Sequence, residues 1–360
     1  MKEKQKEIKL SPGVLKALRE TSGYSIEEIA KKLDTTTERV LSVEEGKSGF
    51  TLNQIRNLGD IYKRPLVAFF SDSIPELPKL VDYRINREKR LTPQVYLAER
   101  KAYYLSEKIK ELSNKRSQIP SFSEELNADE FARQFRRYLN TELIKFQKPR
   151  EILAHYKKAL EDALTIIIIE YPLKADDVRA FSVSSDICVI VLNEGDKPSI
   201  KLFSLFHEVC HLLKKSAGIC SLEIEQQEQE MESYCNRFAA EFLVPLDDLK
   251  NEVEKLAQID EGAINQLSGI YGVSKQVIML RLLLLRNITK EKYEQFKSGL
   301  EKPIKRFGRR NWEKVFLNRV GNLPLNEIKK SYNEGKITFY EASSILDLKT
   351  KYAEKFITSR

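Results

Sequence analysis

Phe203-Ser204-Leu205-Phe206-His207-Glu208-Val209-Cys210-His211-Leu212-Leu213 places two histidines four residues apart on an apolar background. On a helix, positions i and i+4 share a face, so His207 and His211 can hold one metal ion together. Glu208 follows directly and is suitably placed to polarise a metal-bound water. The chain has 3 histidines, and two of them stand here. The competing reading is two helix-surface histidines with an unrelated glutamate between them. A helix is expected over 200–215, ended by Gly218.

A catalytic metal of this kind takes three protein ligands and keeps one position open. Downstream acids that could supply the third are Glu223, Glu225, Glu228, Glu230, Glu232 and Glu241. The stretch 232–245 reads as the next helix, with Phe238, Ala239, Phe242 and Leu243 as its core face. Glu232 and Asn236 then share another face, an acid that can ligate and a polar partner one turn on. Upstream, the β-branched run 165–171 is an expected buried strand. Residues 181–183 and 187–192 are two more, joined by a turn at Ser184-Ser185-Asp186. An edge strand can hold an extended peptide by backbone hydrogen bonds, and 187–192 is the candidate; equally, the sheet can simply pack the helix.

At 360 residues the chain is long enough for two or three domains, and 41% hydrophobic residues suffice for real cores. The net charge of +8 is unevenly spread. Residues 161–286 carry 12 Lys/Arg against 21 Asp/Glu, whereas 84–160 carry 18 against 10 and 287–360 carry 17 against 9. Basic arms suit nucleic acid, and equally an ordinary solvated surface. No apolar run approaches 18 residues, so no membrane span is expected. The charged start, residues 1–9, is unlike a secretory signal. The four cysteines show no paired CxxC spacing, so free thiols in a cytoplasmic protein are expected.

Residues 11–72 read as five short helices. Ser25-Ile26-Glu27-Glu28 and Thr51-Leu52-Asn53-Gln54 are capping-box starts. The spacing over 25–43 is that of a helix–turn–helix with 36–43 as the second helix. The runs Ser25-Ile26-Glu27-Glu28-Ile29-Ala30-Lys31-Lys32-Leu33, Glu44-Glu45-Gly46, and Tyr62-Lys63-Arg64-Pro65 followed by Phe69-Phe70 resemble a phage-repressor-type (XRE/Cro) domain. The resemblance implies a core of Ile29, Ala30, Leu33, Val40 and Leu58, with Thr36, Thr37 and Arg39 facing double-stranded DNA. Glu27, Glu28 and Glu38 depart from it, since acids near phosphates are unfavourable. Protein docking or dimerisation, including a homodimer, therefore stands beside DNA binding.

The stretch His207-Glu208-Val209-Cys210-His211-Leu212-Leu213, followed by 232–245, resembles the ImmA/IrrE-like metallopeptidases, which are often fused to an XRE-type domain in this order. The resemblance implies Zn2+ held by His207, His211 and Glu232, Glu208 as general base, and Asn236 supporting a ligand. It also implies a cytoplasmic regulatory endopeptidase that cleaves a repressor or antitoxin-like protein in a phage, mobile-element or stress-response circuit. A transcriptional regulator with a structural or sensory zinc, or an antitoxin-like binding partner, is the alternative. Val209-Cys210 departs from the usual Leu-Gly, and Tyr234-Cys235 from the usual Glu-Ala; neither removes a ligand.

Several residues stay open. Cys210 and Cys235 suit a thiolate ligand or redox switch, or two small buried hydrophobes. Tyr234, Tyr171 and Arg237 are candidates for stabilising an oxyanion. His155 reads as structural. Residues 261–285 look like a second helix–turn–helix but read as buried, and Lys305, Arg306, Arg309 and Arg310 beside Trp312 suit DNA or a solvated surface. The expected fold is mainly α with a small β-sheet (α+β): a five-helix bundle over 1–72, a linker over 73–91, a basic helical region over 92–163, a gluzincin-like metallopeptidase core over 164–286, and a basic helical C-terminal region over 287–360.

Overall fold

The computed structural model describes residues 7–73, 91–175, 178–216, 226–298 and 311–358. Residues 74–90 of the expected 73–91 linker, Gly218, Glu223, Glu225 and the basic run at 305–310 lie outside the described residues. The chain is mostly helical with small sheets. It divides into two compact units, residues 1–101 with 173–178, and residues 102–172 with 179–360.

In the first unit, β1 (Glu7–Ile8) precedes α1 (Pro12–Glu20), α2 (Ile26–Lys32) and α3 (Thr37–Glu44). Next come β2 (Phe50–Thr51), α4 (Leu52–Tyr62) and a 3-10 helix at Leu66–Phe70. Both capping boxes form: Ser25 with Glu28 opens α2, and Thr51 with Gln54 opens α4. Apolar faces of all four helices meet around Leu18, Ile29, Val40, Ile55, Leu58 and Phe69. The Arg19 guanidinium grips the Glu44 carboxylate through two hydrogen bonds of 2.7 and 3.0 Å. The structure differs from the sequence expectation in two respects. The fifth element is a tight 3-10 turn, too short to reward α-helical nucleation. And residues 7–8 pair antiparallel with 50–51, a contact between segments more than 40 positions apart that no local pattern announces. Gly49 permits it, since a Cβ there would sit 2.5 Å from the Ile8 carbonyl oxygen.

A long helix, α5 (Pro93–Ser113), contains the division between the units. The second unit then continues with α6 (Ala128–Tyr138), α7 (Pro149–Leu164), β3 (Ile167–Tyr171), β4 (Ala180–Val183) and β5 (Val189–Asn193). After these come α8 (Pro198–Ser216), α9 (Gln226–Leu243), α10 (Leu246–Val253), α11 (Glu261–Tyr271), α12 (Lys275–Leu284) and α13 (Lys290–Ser298). The chain closes with α14 (Trp312–Val320), α15 (Asn322–Asn333), α16 (Phe339–Ile345) and α17 (Thr350–Ile357). The capping-box pattern Ser121-Phe122-Ser123-Glu124 predicts a helix over 121–140, but α6 starts only at Ala128. Asn127 caps it by accepting from the Asp129 and Glu130 amides, while Phe122 turns down onto Phe131 and Phe135.

The sheet has the order β3-β5-β4, with β3 parallel and β4 antiparallel to β5. This corrects the expectation that 187–192 offers a free edge. β5 lies in the middle and is buried along its whole length, as an apolar run in a covered sheet should be. α8 packs on β4 and β5, and α9 packs on α8 and α6. α14 and α15 close over β3, where Gly321 (φ +83°) lets the chain pass so near that a Cβ would lie 2.9 Å from the Ile168 carbonyl oxygen. Among the described residues no single helix is long and apolar enough to cross a membrane.

A buried ion pair ties α9 to α12. The Arg281 guanidinium, with no exposed surface, donates to the Glu241 carboxylate and to the Val244 carbonyl oxygen at 2.9 Å. Burial raises the Glu241 pKa, and Arg281 opposes that shift. Removing one partner leaves the other as an uncompensated buried charge. Arg281→Ala is expected to cost about 3–5 kcal/mol in urea denaturation, and Arg281→Met combined with Glu241→Leu to recover most of that loss.

Candidate metal centre

α8 is buried on every side, which suits a helix with apolar residues all round it. Leu202, Leu205, Phe206, Val209, Leu212 and Leu213 fill its packing faces. Phe206 stacks on Phe242 of α9 with ring centroids 3.9 Å apart, and Tyr156 of α7 meets it edge-on. The helix is also held electrostatically. In its first turn Lys201 donates to Glu170 of β3 at 2.5 Å, while Lys157 of α7 lies 3.5 Å from the other carboxylate oxygen. Burial alone would raise the Glu170 pKa; the two ammonium groups overcome this and hold it below the ordinary carboxylate range.

On this scaffold His207, Glu208 and His211 are 2%, 3% and 5% exposed. Glu232, in the first half of α9, faces the two imidazoles. One carboxylate oxygen is 3.4 Å from His207 Nε2, the other 3.2 Å from His211 Nε2, and the two Nε2 atoms are 3.2 Å apart. Among the described residues these three form the group able to hold a metal ion, with ligand atoms all within 4.8 Å of one another. His207 Nδ1 donates to Asn236 Oδ1 at 2.8 Å. The amide oxygen can only accept, so the His207 proton sits on Nδ1 and Nε2 turns a lone pair inward.

These contacts test whether a metal fits. Tetrahedral bonds of 2.0–2.1 Å place neighbouring ligand atoms about 3.4 Å apart. The two Nε2 atoms are 3.2 Å apart, close to that edge length, and each faces a different oxygen of the Glu232 carboxylate at 3.2–3.4 Å. A cation held among these atoms would offset the repulsion between the His207 lone pair and the carboxylate, as a proton on His211 Nε2 also does. Two nitrogens and a carboxylate form a donor set suited to Zn2+. Glu208 occupies the next position round the helix from His207, about 100° away.

The other sequence candidates are not members of this three-residue group, although the Cys235 thiol hydrogen-bonds His211. Cys210 and Cys235 are fully buried, and burial, followed by contact with Cys210, pushes the Cys235 thiol pKa up. That fits two small apolar fillers between α8 and α9. The Tyr234 hydroxyl donates to the Leu126 carbonyl oxygen at 2.7 Å beneath the Lys214 ammonium. Arg237 Nε sits 3.0 Å from Asp129. Tyr171 ends β3, half-buried. His155 Nε2 lies 3.4 Å from Thr141 Oγ1 on the surface of α7. In the first unit Thr36 caps α3 by accepting from the Arg39 amide, and Thr37 is its first residue. The Arg39 side chain bonds Glu7 and the Gly49 carbonyl oxygen, both at 2.6 Å. Sequence reasoning missed the Lys157–Glu170–Lys201 triad and the Arg281–Glu241 pair. No spacing signals either, since their members lie on separate elements.

Residues 161–283 match the family model described as the IrrE N-terminal-like domain, Peptidase_M78. The match runs from the end of α7 to α12 and contains His207, Glu208, His211, Glu232 and Asn236. This part of the chain is thus similar to a peptidase domain. No curated protein and no solved structure matches the chain.

Asn236 fixes the orientation and tautomer of His207, and such partners typically account for 10–100-fold in metal affinity. Asn236→Ala is expected to weaken Zn2+ binding within that range in a chelator-competition titration, with Asn236→Asp retaining most of the affinity.

Proposed function

We propose that the chain is a zinc-dependent regulatory endopeptidase whose substrate is a repressor or antitoxin-like protein of a phage, mobile-element or stress-response circuit. The observation that carries this is the convergence of His207 Nε2, His211 Nε2 and the Glu232 carboxylate, with ligand atoms within 4.8 Å of one another, inside the region similar to a peptidase family. His207, His211 and Glu232 would hold Zn2+, which as a Lewis acid supplies polarisation of a peptide carbonyl and of water. Glu208 takes the proton from the attacking water and returns it to the leaving amine. Asn236 keeps the His207 ring turned toward the ion. β4 is the sheet edge adjacent to α8 and is the proposed backbone partner for an extended substrate.

Glu208→Gln leaves all three ligands in place. It is expected to retain Zn2+ stoichiometry by metal analysis, abolish loss of the partner protein in cells, and trap that partner during purification. Persistent loss of the partner in this variant sinks the endopeptidase assignment.

A second reading is a transcriptional regulator of the XRE type with a structural or sensory metal. It is favoured by α2 and α3, which pack together across a short turn, and rests on Thr36, Thr37 and Arg39 as the set facing double-stranded DNA. Acidic Glu38 and the Arg39–Glu7 contact oppose it. If it holds, the full-length protein binds duplex fragments of its own locus at low salt, with affinity falling linearly against log salt concentration. Absence of binding to every such fragment in fluorescence anisotropy removes it.

A further inference from the structure

We propose that the cavity at the C-terminal end of α6 is a binding site for a small phosphate-bearing ligand, separate from the metal centre. The cavity measures about 470 Å3 and is lined by Arg133, Arg136, Arg137, Asn140, Thr141 and Glu142. That volume lies within the usual range for small-molecule sites. Three guanidinium groups and one carboxylate meet there, with an amide and a hydroxyl as neutral polar groups.

Two of the arginines are fixed in advance. Arg136 donates to the carbonyl oxygens of Glu241, at 3.0 Å, and of Phe242, and its guanidinium lies 4.9 Å from the Phe242 ring centre. Arg133 Nη1 sits 3.5 Å from the buried Glu241 carboxylate, while its Nε donates to Glu130 at 3.0 Å. Arg137, at the next helical position, is exposed. Rigid, planar guanidinium forks match phosphate oxygens two at a time and lose little freedom on binding.

The helix end itself opposes an anion, because its carbonyls amount to about half a negative charge. Arg136 and Arg137 oppose that term and the lining Glu142, whereas Arg133 is already shared with Glu130 and Glu241. The same acids select the ligand's size. Glu142 on the lining and Glu130 against Arg133 would repel a long polyanion, and the cations form a concave cluster rather than a stripe along which a nucleic-acid backbone could run. Along α9, Glu241 lies nine residues from Glu232, roughly 13 Å at the helical rise.

The test is calorimetric titration of the full-length, metal-loaded protein with inorganic phosphate and with pyrophosphate at low ionic strength. Saturable one-site binding is expected, tighter for pyrophosphate, and weakened at least tenfold by Arg137→Ala. Arg137 is exposed and Ala favours helix, so this variant keeps its fold. Arg133→Gln should produce a similar loss, and Arg137→Lys a smaller one. Absence of saturable binding overturns the proposal. So does binding that neither Arg137→Ala nor Arg133→Gln alters, the behaviour expected if the anion went to the metal. Arg137-dependent binding of a duplex oligonucleotide as tight as that of pyrophosphate would overturn it in favour of nucleic acid.

Discussion

In the second unit the His207 and His211 Nε2 atoms stand 3.2 Å apart, and each faces a different oxygen of the half-buried Glu232 carboxylate at 3.2–3.4 Å. The His207 lone pair and the carboxylate repel, and burial of the two imidazoles leaves little water to screen them. The arrangement is held where the surrounding packing over-determines it, or where a proton or a cation resolves it. Much of the second unit can be understood as the packing that holds α8 and α9 at that separation.

The hold is distributed. Aromatic stacking of Phe206 on Phe242 sets the distance between the two helices. The Lys157–Glu170–Lys201 triad fixes the first turn of α8 against β3 and α7. Neither device touches the ligand cluster. The sheet contributes by its strand order: with β5 in the middle, α8 rests on a continuous apolar surface. The same order transfers the free-edge role from 187–192 to β4, because a central strand has no unpaired backbone groups left to offer.

What was legible in the sequence was whatever repeats locally. His207 and His211 are one helical turn apart, as are Glu232 and Asn236, and i, i+4 spacing declares a shared face without knowledge of the tertiary fold. The capping boxes at Ser25 and Thr51 declared their helices in the same way. What stayed hidden was decided by distant partners. Nothing near residue 121 reveals that Phe122 will pack under Phe131 and postpone α6 to Asn127. Nothing near Arg39 reveals Glu7, 32 positions away; the expectation that Arg39 faces DNA came from the resemblance to a phage-repressor-type domain. Parallel pairing of β3 with β5 likewise depends on a crossover that periodicity cannot encode.

α9 joins these threads. Its middle turns carry Glu232 and Asn236, and its last turn carries Glu241 and Phe242, which anchor Arg281, Arg133 and Arg136. A helix is stiff along its axis, so the register of its far end sets the reach of Glu232. A slip of one residue moves a side chain by about 1.5 Å along the axis and about 100° round it. Either component would take the Glu232 carboxylate out of range of both imidazoles. The buried Arg281–Glu241 pair adds little net stability compared with a well-packed apolar substitute. Its consequence is positional: a charge pair with no exposed surface tolerates one register, and that register brings the Glu232 carboxylate to the two imidazoles.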